Sequence, residues 1–393
     1  MGQETKYINP EFLDISIEDF DALKGTHKFS KEYKRRKRKM LQEYRKGTLS
    51  PERHIYAKLA VAAAILLVVS APIIVSAANS DFFNRIWGSF AKEDTQPHKE
   101  TLNNEQELPY EYIFPKREYV DVKPEEAEEL IGANVSHKKT VKKLGDTTLT
   151  ILSSVYDGNA AIVEYTLERE GGVNALEYSQ PDNELMGAKF SQDAVFDFVF
   201  RGCSEYIFVD LKQSTKEVLH CYDYMVMDPG AYDKKAGGLV LEVTEYPCTK
   251  GEMFRADADT FEKYHAAEKH STLSVPLKEP AEQREFANED GGIAKVSPIA
   301  AVIDMHKGLG IPEDGFEDHN DVYYVSIKYK DGTEYVVSEH DLKDVHKCRE
   351  KIDNSSYITY DMEGNIVLVF NRLVDIGNIE SITANKAVHT AKE

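Results

Sequence analysis

Cysteine is scarce in this sequence, with Cys203, Cys221, Cys248 and Cys348 the four among 393 residues. The N-terminal segment, which has none, therefore cannot build a thiolate zinc site of its own. No C-x-x-C spacing occurs, and an even number of thiols leaves open whether any pair in an oxidising setting. A Gly-rich phosphate loop, a G-x-S-x-G elbow and an H-E-x-x-H helix are also missing. His265 and His270 stand five apart, so a helix would not stack them as a metal pair. Asp257, Asp259 and Glu268 have the outer spacing of a calcium loop, but Glu262 replaces the glycine that its sharp turn needs. The acidic run Glu313 to Asp321 is either a solvated loop or a weak calcium loop. On these grounds the expectation is no enzyme, no catalytic residue, no cofactor-binding residue and no metal ligand. A net charge of -20 argues against nucleic acid as a general partner.

What is present is a sharp asymmetry of charge around one apolar run. Residues Met1 to Lys58 carry 14 Lys+Arg against 9 Asp+Glu, a net +5, which leaves -25 of the total -20 for the remainder. Leu59 to Ser80 has 22 uncharged residues, which as a helix rise about 33 Å against a hydrocarbon core of roughly 30 Å. Pro72 kinks such a helix and does not end it. The basic cluster Lys34-Arg35-Arg36-Lys37-Arg38-Lys39 precedes the run, whereas Arg85 and Lys92 alone follow it closely. The positive-inside rule then predicts a single-pass protein of the cell membrane with a cytoplasmic N-terminus. Phe82, Phe83, Trp87 and Phe90 fall where rings favour the headgroup layer, as membrane-interface residues. A cleaved signal peptide is the rival reading, and the long leader argues against it.

The cytoplasmic part, 1–58, divides into an acidic, sparsely apolar stretch and a helix-prone basic one that Ser30 can cap. Two readings stand. It is a topology signal resting on anionic lipid, or a linear element that orders on a cytoplasmic partner. In the second, Phe12, Ile15, Phe20 and Leu23 are the anchors and Lys34, Arg35, Arg36, Lys37, Arg38 and Lys39 meet acidic surface.

Beyond the span, 81–122 reads as an interfacial segment and linker, 123–278 as one β domain and 279–393 as a second. Pro124, with Glu125 and Glu126 behind it, starts a short helix that Gly132 ends. Then the period becomes two. Leu149, Ile151 and Val155 are expected to share a face, Asp157-Gly158-Asn159 to turn, and Ala161, Val163, Tyr165 and Leu167 to return. Further strands are expected at Val195 to Arg201, Tyr206 to Leu211, Val218 to Val226 and Leu239 to Tyr246, and a helix in Thr249 to Lys269. The C-terminal part has runs at Ile293 to Val302, Tyr323 to Tyr329, Glu334 to Val337, Tyr357 to Tyr360 and Ile366 to Phe370. The predicted fold class is mainly β: one transmembrane helix followed by two extracytoplasmic antiparallel β-sandwich-like domains.

The sequence also resembles a known family on four phrases: AANSDFFNRIWGSF (Ala77 to Phe90), DTTLTILSSVYDGNAAIVEYTLE (Asp146 to Glu168), KVSPIAAVI (Lys295 to Ile303) and LVDIGNIESI (Leu373 to Ile382). It is similar there to membrane-anchored anti-sigma-like proteins of Gram-positive bacteria, with an outer domain of unknown function followed by an immunoglobulin-like domain. That resemblance implies a transmembrane signalling regulator whose cytoplasmic segment grips a sigma factor while the outer part meets an unknown extracytoplasmic ligand. Zinc-type members carry two Cys before the span, and this chain has His27 and His54 there but no Cys. Tethered adhesion or ligand binding at the cell envelope is the alternative function.

Overall fold

The period-two patterns become strands, and the computed structural model describes them over residues 98–102, 110–118, 120, 123–179, 185–310, 324–340 and 350–392. The apolar run 59–80 lies outside the described residues. Among those described, no helix is long and apolar enough to cross a membrane.

Strands β1 (His98–Leu102) and β2 (Tyr110–Phe114) pair antiparallel as a small sheet. The stretch expected as an irregular spacer thus holds two strands, the second rich in the aromatic residues that strands favour. Helix α1 (Pro124–Ala127) has proline in its first turn with Glu125 and Glu126, and runs into a π-helical turn, Glu128–Gly132.

Next come β3 (Thr140–Leu144), β4 (Thr147–Tyr156), β5 (Ala160–Glu168), β6 (Leu176–Ser179), β7 (Leu185–Phe190), β8 (Phe196–Phe200), β9 (Cys203–Asp210), β10 (Val218–Met227) and β11 (Gly238–Glu245). Helices α2 (Lys250–Arg255) and α3 (Ala258–Ala266) follow, then β12 (Lys269–Pro276). The expected single helix is two, because Thr249 builds a capping box for the first and Asp257 caps the second through the Thr260 N–H. Seven strands form an antiparallel sheet in the order β3-β4-β5-β10-β9-β7-β6, and three form another, β12-β11-β8. They pack face to face: Phe196, Phe198, Phe200, Leu239, Leu241 and Val243 meet Val163, Tyr165, Leu167, Cys221 and Met225 in one core.

The turn between β4 and β5 depends on Gly158, whose φ of +100° is open to glycine at little cost. A register shift between Ile151 and Ser153 corrects one expectation. Leu149 and Ile151 enter the core against the three-stranded sheet, whereas Val155 points to the opposite side, because the bulge inverts the alternation.

The remaining strands are β13 (Arg284–Ala287), β14 (Ile293–Val296), β15 (Ala300–Asp304), β16 (Tyr324–Tyr329), β17 (Glu334–His340), β18 (Glu350–Asp353), β19 (Ser355–Tyr360), β20 (Asn365–Phe370), β21 (Ile379–Ala384) and β22 (Ala387–Ala391). They form one antiparallel sheet ordered β18-β17-β16-β21-β22-β13-β14-β15-β20-β19. Laid flat, β17 and β20 would be about 34 Å apart at the usual strand spacing. Their Tyr335 and Phe370 rings instead meet at 5.8 Å. The sheet therefore curls onto its own core, which Phe286, Ile303, Ile327, Val337, Leu368 and Ile382 fill.

Between the seven-stranded sheet and the curled sheet lies a third core. Even-numbered residues of β5 and β10 (Ala160, Ile162, Tyr222, Tyr224, Val226) meet Ala300, Val302, Val367 and Val369, with Ala127, Ile131 and Val135 at one side. Strands β5, β10, β15 and β20 are thus buried on both faces, so each contributes one residue parity to each of two cores. Polar links cross this seam too: the Ser204 and Tyr357 hydroxyls meet at 2.6 Å, and a buried link is built on Asp157. Asp157 Oδ1 accepts from the N–H groups of Asn159 and Ala160 at 2.8 and 2.7 Å, and Oδ2 accepts from Ser297 Oγ at 2.6 Å. Burial pushes the Asp157 carboxyl up against the pull of these donors. Val374 N–H donates to Pro298 O at 3.0 Å, so three of the four sequence phrases carrying the family resemblance converge here.

Candidate functional site

The notable construction is a clamp in which the curled sheet grips residues 116–118, part of the chain that joins the apolar run to the β sheets. Its centre is Asn354, between the two outermost strands of the curled sheet. Leaving β18 and starting β19, the chain must close the seam between β17 and β20, and Asn354 does this with its backbone. Its N–H donates to Val337 O at 2.8 Å, and its carbonyl accepts from Asn371 N–H at 3.3 Å and from the Tyr335 hydroxyl. The side chain, 0% exposed, donates through Nδ2 to Val336 O at 2.7 Å. That leaves Oδ1 as an oriented acceptor.

Glu118 N–H donates to Asn354 Oδ1 at 2.6 Å. On the other side, the Glu118 carbonyl accepts from Asn371 Nδ2 at 3.0 Å and Arg372 Nη2 at 2.8 Å. Lys116 lies in a parallel bridge with Ile352, its carbonyl accepting from Asp353 N–H at 3.0 Å. Arg117 Nη2 donates to Asp353 Oδ2 at 3.1 Å, and Lys116 pairs with Glu118. The gripped peptide thus pairs with the outer edge of β18 through one isolated parallel bridge, a minimal form of the geometry by which sheets recognise extended peptides.

The donors are held in place from behind. Arg372 lies 4.1 Å over the Tyr335 ring, a cation–π arrangement that fixes its plane. Burial raises the Tyr335 hydroxyl, opposed by Arg372, and pushes that of Tyr329 up to about 12 against the same guanidinium. After the clamp, a crevice of about 110 Å³ lies among Val120, Lys123, Leu130, Arg372 and Leu373, and α1 enters the seam core. A wider hollow of about 360 Å³ at Arg169, Gly171, Gly172, Asn174 and Lys216 is formed by loops.

None of the sequence-predicted site residues is among the described residues. Phe12, Ile15, Phe20, Leu23 and Lys34 to Lys39, the interface candidates Phe82, Phe83, Trp87 and Phe90, and the acidic run Glu313 to Asp321 lie outside the described residues. Among the described residues no cluster of His, Cys, Asp and Glu is arranged to hold a metal. His265 and His270 each reach Glu268 instead, at 3.1 and 3.3 Å. Cys203, Cys221 and Cys248 are free thiols, and Cys348 lies outside the described residues. Sequence reasoning missed Arg117, Asp353, Asn354, Asn371 and Arg372. Their one signal is a run of polar residues beside strong strands, which reads equally well as a turn.

No family model and no curated protein matches the chain. A solved structure described as the conserved domain protein from Bacillus anthracis is similar over 63% of this chain and 75% of its own, at 9% identity and a TM-score of 0.32. A likeness that slight assigns neither fold nor activity.

Proposed function

We propose that the chain is a single-pass membrane signalling regulator of the anti-sigma type, with 59–80 in the bilayer, 1–58 in the cytoplasm and the β sheets outside. The observation that carries this reading is the clamp on residues 116–118. A protein that only displays a module at the cell surface needs a free linker, whereas this linker is gripped through backbone and side chain by strands 236 residues away in sequence. Whatever binds or strains the outer body therefore bears on the chain that leads to the membrane. A partner in the cytoplasm, a sigma factor in the family resembled, is the receiver, with Phe12, Ile15, Phe20, Leu23 and the Lys34 to Lys39 cluster as its contacts.

Cross-linking pull-downs from cells test this with three chains: full length, one lacking Met1 to Gly25, and full length with Arg372→Ala. The full chain is expected to enrich a sigma factor, the truncated one to lose it, and the clamp variant to change the yield. If neither the full nor the truncated chain enriches a cytoplasmic protein, the regulator reading fails and tethered envelope binding replaces it.

A further inference from the structure

Two carboxylates share one face between the seven- and three-stranded sheets. On β10 and β9, Asp223 lies opposite Ile207 and Met225 opposite Glu205. Asp223 and Glu205 are therefore diagonal neighbours on adjacent antiparallel strands, within reach of long side chains. Asp223 is 0% exposed. Tyr165 donates its hydroxyl to Asp223 Oδ1 across a long 3.4 Å, and Oδ2 meets no donor among the described residues. Half-buried Glu205 accepts from the Phe200 N–H at 3.0 Å.

Among the described residues, the groups named around them by strand and turn supply no positive charge. Strand β5 brings Tyr165, β10 brings Cys221, β9 brings Cys203, and Asp228 follows β10, a further negative group. The opposing sheet presents Phe198 edge-on to Tyr165 at 5.6 Å, with Phe200, Leu241 and Val243. Arg201, in the turn between β8 and β9, donates to Glu242 at 2.6 Å. An ionised carboxylate without a cation or a full set of donors is costly in such a place, and two are costlier still.

We propose that Asp223 and Glu205 form a one-proton site, in which a proton is the bound ligand and its loss loosens strands β8 and β9, which the chain joins across the two sheets, from the core. Burial is the main cause that holds the Asp223 carboxyl well above the usual range, with Glu205 adding to it. Burial also pushes Glu205 up to about 7, against the pull of the Phe200 N–H. Both carboxyls are raised in the folded state. The stability they confer is thus complete at pH values below the ordinary carboxylate range and is lost as pH rises through about 7. The site makes the outer body responsive to proton activity whether or not the cytoplasmic segment binds a partner.

Hydrogen exchange of the full chain in detergent micelles between pH 5.5 and 8.5, corrected for the intrinsic exchange rate, tests the site. Protection of peptides from β8 and β9 is expected to fall about tenfold or more across that range, as loss of one proton allows, while β20 stays constant. Glu205→Gln removes the carboxyl that titrates at about 7 and is expected to abolish the fall; Asp223→Asn, which keeps the side-chain shape and removes the neighbouring charge, should at least halve its slope. Protection of β8 and β9 independent of pH in the native chain overturns the proposal. So does a native slope retained in both variants. If Asp223→Asn does not fold, Glu205→Gln decides alone, and an unchanged slope there is a negative result.

Discussion

The seam and the clamp both tie the curled sheet to chain segments far away in sequence, by opposite chemistry. The seam is mainly apolar: Ile162, Tyr224, Ile299, Val367 and Val369 are 0% exposed, and the polar link of Asp157 with Ser297 is buried too. The clamp is polar, with Arg117 and Asp353 partly in solvent. Burial of a large apolar side chain is worth about 1.5–3 kcal/mol, whereas a hydrogen bond exchanged with water nets about 0.5–1.5 kcal/mol. Thus the seam is suited to fuse the sheets into one folding unit, and the clamp to release a strand without unfolding anything else.

The largest expected effect belongs to the seam. Ile162→Ala leaves a cavity between two sheets and should cost about 3 kcal/mol, within the range for such truncations. Urea unfolding followed by hydrogen exchange should show β10 and β20 shifting together; a shift confined to β10 would make the two sheets independent. Next comes Asp157→Ala, which strands two N–H groups and the Ser297 hydroxyl and should cost about 2 kcal/mol. The connection between β12 and β13 lies over the same seam. Ala281 N–H donates to Tyr156 O at 2.8 Å, and Asn134 Nδ2 donates to the carbonyls of Glu279 and Pro280 at 3.1 and 3.0 Å. Limited proteolysis should therefore spare residues 277–287 in the native chain and cut there early in Asp157→Ala.

Much of the sheet structure could be read before any fold was seen, because alternation is strongest where a strand has one clearly apolar face. Phe196, Phe198 and Phe200 all enter one core, as their spacing implied. Reading fails where local geometry intervenes. Pro298 splits the run expected as one strand from Ile293 to Val302 into β14 and β15, since proline cannot donate to a central ladder. Strands β13, β18 and β22 were invisible, because Arg284, Glu285, Glu350, Lys351 and His389 blur so short a pattern. The clamp was hidden for a different reason: Asn354 acquires its role only when the sheet curls and brings β17 beside β20, and no local pattern encodes curling.

At the clamp, Arg372→Ala removes one of two donors to the Glu118 carbonyl and the cation stacked on Tyr335. The expected cost is about 1–2 kcal/mol, between a neutral and a charge-assisted hydrogen bond. Exchange should quicken for the Glu118 N–H and the Asp353 N–H while β5 keeps its protection. Equal loss in β5 would mean that clamp and seam form one cooperative element.

Arg117→Ala should have the smallest effect and offers the finest test of that separation. The guanidinium meets Asp353 at 3.1 Å with 26% and 14% of the two side chains exposed. Water and salt screen such a pair, so about 0.5–1 kcal/mol is expected, shrinking as ionic strength rises. The strand pairing of Lys116 with Ile352 uses backbone groups and should persist in the variant. Measured as local exchange at residues 116–118 in low and high salt, native and variant chains should differ several-fold at low salt and converge at high salt. A difference that survives high salt would mean that Arg117 acts by packing its stem against the sheet edge, and that the clamp is less reversible than its charges suggest.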